Sequence, residues 1–332
     1  MPADLSALLL ANLLSPAVLF FVLGVIATVG RSDLKFPEPL YTALTIYLLV
    51  AIGFKGGTAL EQAGLAAVAV PALAAVALGA LIPLWAYPCL RVLGGFSSAD
   101  AAGIAAHYGS VSAVTFIAAT NFLRLAEVPY EGFAPALLAV MEAPAIVVAI
   151  TLGKLNSPGD SGGERWTKTL GRTFHESVFG RSVLLLLGSM VIGWASGPRG
   201  AESTSAFFVA PFQGILSLFL LEMGMVAARR LPDLRKAGTF LVVWGIAAPL
   251  LHATLGVLAG RAAGLSLGGA VLLATLAASA SYIAAPAAVR LALPEANPTY
   301  SLTAAIGITF PFNLAIGLPL YLELARKVYG AP

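Results

Sequence analysis

The chain has 332 residues, of which 59% are hydrophobic and only 11% charged, whereas a soluble domain runs at roughly a quarter charged. A mean hydropathy of +0.90 points to a polytopic membrane protein rather than one soluble core. The net charge of +3 gives no reason to expect nucleic acid, and the single cysteine, Cys89, excludes an intrachain disulfide.

The chain begins without Lys or Arg before Arg31, so it lacks the positive start of a signal peptide. This predicts a first span preceded by a short interfacial helix. Apolar segments of roughly 20 residues, enough to cross a bilayer, fall at about 14–30, 40–57, 64–93, 98–124, 132–153, 180–196, 206–228, 238–260, 266–291 and 300–325. The expected fold is an all-α membrane protein of about ten transmembrane helices. Only Asn156 to Glu176, Gly/Ser-rich and then basic, reads as a linker. It divides a first unit (1–155) from a second (177–332).

Two of the segments are interrupted. The fourth carries Gly109-Ser110-Val111-Ser112 and the ninth Ser279-Ala280-Ser281-Tyr282-Ile283, followed by Pro286. A helix in lipid has no water for its freed backbone groups, so such breaks occur where they line a site buried in protein. Half-helix N-termini meeting there would attract a small anion, and Ser110, Ser112 and Ser281 could cap them or donate to it.

An offset of 171 carries Gly53 onto Gly224, Gly109-Ser110 onto Ala280-Ser281, and Glu142 onto Asn313. Five spans per copy would invert the second, giving a 5+5 inverted repeat with two broken core helices. With ten spans, Lys55, Arg124, Arg199, Arg261, Arg326 and Lys327 lie on the side of the termini. The other thirteen of the 19 basic residues lie opposite. The positive-inside bias makes that basic side and the linker cytoplasmic, and the termini external.

Ionisable groups within spans are costly and mark candidate function. Glu142 suits cation binding or proton coupling, with Thr115, Thr309 and Asn313 as neutral oxygen ligands. Glu222 reads as a structural or gating pair, with Lys55 or a neighbouring subunit as partner. His107 could sense protons, His252 could pack, and Arg290 and Lys55 could snorkel. There is no HExxH, GxSxG, P-loop or zinc-spaced Cys/His cluster, so neither an enzyme nor a cofactor is expected.

The chain resembles the sodium-dependent bicarbonate transporter family first described in cyanobacteria. The likeness rests on IGFKGG (52–57), GSVSAVT (109–115), VPYEGF (128–133), MEAP (141–144), MGM (223–225), ASYIAAPAAVR (280–290), LPEANP (293–298) and AIGITFP (305–311). The resemblance implies core and gate domains: a core centred on 98–155 and 266–325, and a gate centred on 14–57 and 180–228. It also implies a homotrimer, alternating access by elevator-like movement, and sodium-coupled import of bicarbonate across a bacterial plasma (inner) membrane. By the same resemblance the anion would sit on Gly109, Ser110, Ser112, Ala113 and Thr115, and on Ser279, Ser281, Tyr282 and Ile283. A PII-like regulator would dock on the cytoplasmic face. Tyr282 replaces an acidic residue of the cyanobacterial pattern, Ala284-Ala285 a Ser-Gly pair, Ala113-Val114 a Gly-Ser pair, and Glu142 an Asp. Two alternatives stay open: a sodium- or proton-coupled symporter or exchanger for another anion, and a non-transporting anion sensor.

Overall fold

A computed structural model describes residues 5–156 and 179–331, together with Gly171 and His175. The proposed linker, 156–176, therefore lies almost wholly outside the described residues. Among those described, every regular element is helical. In chain order the helices are α1 (Leu5–Leu13), α2 (Pro16–Val29), α3 (Glu38–Ala63), α4 (Leu65–Val92), α5 (Ser98–Gly109), α6 (Ala113–Leu125) and α7 (Ala134–Leu155). There follow α8 (Arg181–Phe208), α9 (Phe212–Arg230), α10 (Leu234–Ala262), α11 (Leu267–Ala278), α12 (Ala284–Ala292) and a last span, α13 (Pro298–Tyr329).

Among the described residues eight spans are long and apolar enough to cross a membrane, with α5 and α6 counted together, and nine if the bent pair α1–α2 counts as one. The shortfall from ten is the second interrupted segment: α11 is a shorter apolar helix, and α12 carries Arg290. Two other boundaries differ from expectation. The sixth span continues past 196 through a kink at Gly197 (φ 58°) to Phe208, so the seventh starts at Phe212 rather than 206. The helix containing the eighth begins at Leu234 and kinks at Gly238.

Local sequence explains the helix starts. The Ser15 hydroxyl accepts from the Val18 N–H ahead of Pro16, and Ser97 from the Asp100 N–H, also with a carboxylate in the first turn. The short first helix does not stand apart from the bundle. The Asn12 amide donates to the carbonyls of Leu314 (2.8 Å) and Ala315 (3.2 Å) on α13. That stretch of α13, Asn313–Gly317, is wound as a π-helix, whose looser ladder leaves carbonyls open to such a donor.

The helices pack in two groups. In one, α2 lies along α9 and α3 along α8. Close approach there depends on glycine: a Cβ on Gly24 would run into the Leu221 carbonyl, and one on Gly193 into that of Phe54. Gly53 and Gly224, paired by their offset, both stand at these crossings. In the other group α4 packs on α5 and α7, and α10 on α11 and α13. Two exposed loops tie this second group together. Glu131 accepts the Ser266 N–H (2.6 Å) and hydroxyl (3.0 Å), and Asp100 accepts the Asn297 N–H (2.7 Å). These are the VPYEGF and LPEANP motifs, and their acceptors and donors clasp the outer ends of the two interrupted segments.

Candidate anion site at the two helix breaks

Helix α5 ends at Gly109 and α6 starts at Ala113; α11 ends at Ala278 and α12 starts at Ala284. The two breaks touch. The Ser112 N–H donates to the Ser279 hydroxyl (2.8 Å), and the Ser281 N–H to the His107 carbonyl (2.8 Å). Each break thus uses one backbone N–H to reach the other.

The remaining groups can be assigned one by one. Ser112 caps α6: its hydroxyl accepts from the Thr115 N–H (3.1 Å) and the Thr115 hydroxyl (3.0 Å). Ala113 and Val114, in the same first turn, have no acceptor within the helix by construction. At α12 the Ser281 hydroxyl accepts from the Ala285 N–H (3.2 Å), and Pro286 has no N–H to satisfy. The Ser279 hydroxyl donates to the Leu276 carbonyl (2.8 Å), and the Ala278 carbonyl accepts from Asn313 (2.9 Å).

A cavity of about 10 Å³ opens between the breaks, room for one water. Of the residues expected there, Ser112, Ala113, Ser281, Tyr282, Ile283 and Glu142 line it. Glu142 is 4% exposed, and among the described residues no cationic side chain shares the cavity. Tyr282 forms part of the wall, with its ring edge-on to Phe310 at 5.9 Å; its hydroxyl, beside Ser112, closes no hydrogen bond.

The other expected residues lie off the wall. Gly109 packs under Pro83, whose ring a Cβ would strike. Ser110 is fully buried with its hydroxyl unpartnered. Thr115 and Ser279 are engaged as described. Thr309 bonds the Tyr108 hydroxyl (2.7 Å) and the Gly245 carbonyl (2.8 Å), while Asn313 accepts from Tyr321 (2.6 Å). Their oxygens are thus committed to neighbouring groups of the protein. Ser182, in the first turn of α8, also lines the cavity and was missed. Nothing in the sequence separates it from any serine at a span end.

His107 Nδ1 lies 2.7 Å from the Gly103 carbonyl, an acceptor only, so Nδ1 carries the proton and Nε2 is a buried, unpartnered lone pair. His252, expected to pack, is buried edge-on to Trp85. Glu222 pairs with Arg229 (2.8 Å) on its own helix rather than with Lys55. The cation seven residues on can reach back two turns from the helix end. Among the described residues no three His, Cys, Asp or Glu side chains converge as a transition-metal centre requires.

A sequence model of the Na+-dependent bicarbonate transporter superfamily matches residues 16–326, nearly the whole chain. The chain belongs to that superfamily. Comparison with curated proteins gave no match. Superfamily membership makes this a multi-pass membrane transporter, with bicarbonate and sodium as the substrates the superfamily's name implies. It also gives the two touching breaks a context that helix composition alone does not supply.

Proposed function

We propose that this chain is a secondary active transporter that imports bicarbonate together with sodium across a bacterial plasma membrane. The observation that carries the reading is the pair of mutually hydrogen-bonded breaks facing one small cavity with Ser112, Ser281 and Glu142 on its wall. First-turn N–H groups of α6 and α12 are the anion's ligands, with Ser112 and Ser281 as hydroxyl donors from the wall and Ser110, behind it with its hydroxyl unpartnered, as a third once the cavity widens around the anion. The Glu142 carboxylate is the sodium ligand, in the manner expected of a hard cation.

Ten passes, with α11 and α12 counted as one, form an inverted five-helix repeat with external termini. The group holding α2, α3, α8 and α9 is the gate, and the rest the core. The cavity meets α8 at its first turn, through Ser182, rather than near its middle. A site displaced toward one end of a gate helix supports an elevator movement of the core, here resting toward the cytoplasm.

Labelled bicarbonate uptake into proteoliposomes, with and without an inward sodium gradient and beside a panel of small anions, tests this. Sodium-driven uptake that Ser281→Leu abolishes without loss of folded protein is the expected result. Uptake indifferent to sodium, or unchanged in Ser281→Leu, overturns it. One observation favours a second reading: Glu142 shares its cavity with no cation, so it could instead carry a proton. Uptake driven by a pH gradient after sodium is withdrawn would decide for that reading. Specific anion binding with no flux would decide for a sensor.

A further inference from the structure

A second, larger cavity of about 180 Å³ lies between the two packing groups, toward the other end of α8. One side comes from α3 and the α8–α9 turn, with Lys55, Phe208 and Phe212; the other from α6 and the loop after it, with Phe116, Arg124 and Tyr130. It opens on the face where Glu131 meets Ser266 and where Tyr329 donates to the Leu265 carbonyl (2.8 Å), the end of the last span.

Two features set its chemistry. Lys55 and Arg124 both face it, and among the described residues no carboxylate lines it. Arg124 donates sideways, to Asn121 (3.1 Å) on its own helix. Three phenylalanines supply the opposite character, since each offers a broad apolar face and a favourable edge for ring packing. Tyr130 adds a phenol hydroxyl to the lining. Bicarbonate has no apolar surface to match such walls. The complementary ligand carries one negative charge on a flat or branched apolar body.

We propose that this cavity is a second anion site, for an aromatic or branched monocarboxylate, whose occupant wedges the two packing groups against each other. Lys55 and Arg124 take the carboxylate from the two sides, Arg124 through its planar fork, and the ring stacks among the phenylalanines. Phe116, 1% exposed, lies one turn beyond Ser112 on α6 and closes the floor toward the breaks. The ligand is therefore held apart from the transported anion. The binding half of the proposal stands by itself; the wedging half rests on the elevator reading above.

The test uses the full-length chain in detergent and in proteoliposomes, with benzoate and its neutral isostere benzamide as probes. Radiolabelled benzoate should bind saturably, and benzamide about tenfold more weakly. The double variant Lys55→Gln/Arg124→Gln should weaken benzoate about tenfold and leave benzamide unchanged. Thr120 on α6 also lines the cavity, and Thr120→Trp, which puts an indole into that space, should remove both. Benzoate should lower the maximal rate of bicarbonate uptake without raising the bicarbonate concentration for half-maximal rate. Equal binding of the two probes, or benzoate binding indifferent to both variants, overturns the site. Binding as expected with inhibition that bicarbonate outcompetes overturns the wedge and keeps the site. If no bicarbonate uptake exists to inhibit, the transport reading fails while the binding result still judges the cavity.

Discussion

Ser110 and Ser279 are both fully buried, yet their hydroxyls do different things. Ser279 accepts the Ser112 N–H, so Ser279→Ala strands a buried donor, a loss of about 1–3 kcal/mol. Ser110 has no partner to lose, so Ser110→Ala should change stability by less than about 0.5 kcal/mol while reducing anion uptake. Thermal unfolding in detergent beside vesicle uptake separates the two; a Ser110→Ala protein as active as the parent would remove that serine from the site. The Glu222–Arg229 pair gives a second contrast. Removing Arg229 leaves a nearly buried carboxylate unpaired, but the arginine is half exposed, so the cost is about 1–2 kcal/mol, below that of fully buried pairs. Glu222→Gln in the same chain should recover most of it, a coupling that a double-mutant cycle of unfolding free energies reads directly.

Where α2 packs along α9 and α3 along α8, each crossing depends on a glycine against a facing carbonyl. Gly193→Val would force α8 away from α3, costing about 1–3 kcal/mol or more. The same change at Gly188, where a Cβ meets nothing, should cost little beyond β-branching in a helix. Melting temperatures of the two variants make the comparison; equal effects would mean the crossing is not set by glycine. The breaks behave differently from the crossings. They interrupt largely apolar segments whose outer starts are capped by Ser97 and Ser266, and they persist because each supplies the other with a hydrogen-bond partner that lipid would not.

Across the whole molecule, α3 and α7 meet where Gly56 faces Pro135, with a Cβ on the glycine 2.9 Å from the proline Cβ. That is closer than the roughly 3.5–4.5 Å between the Cβ atoms of a disulfide, so α3 and α7 must part slightly; if the two packing groups move against each other, Gly56→Cys with Pro135→Cys, in a Cys89→Ser background, should then oxidise to a disulfide and stop uptake until a reductant is added. Uptake that continues after full cross-linking would rule out movement at this contact. Much of this organisation is legible along the chain. Apolar length locates most of the spans, because a bilayer fixes how much apolar helix is needed. Gly109-Ser110 and Ser279 to Ile283 announce the breaks, because several small polar residues clustered within one span weaken the helix where isolated ones merely pack or bond their own backbone. What the chain order leaves undetermined is which group reaches which across space. Thr309 and Asn313 look like free oxygen ligands in sequence, yet packing commits them to Tyr108 and Tyr321. Ser182 looks ordinary, yet packing brings it to the cavity. Residue type and periodicity specify a helix and its interruptions locally, whereas hydrogen-bond partners and cavity walls come from helices far apart in the chain, and only their packing decides them.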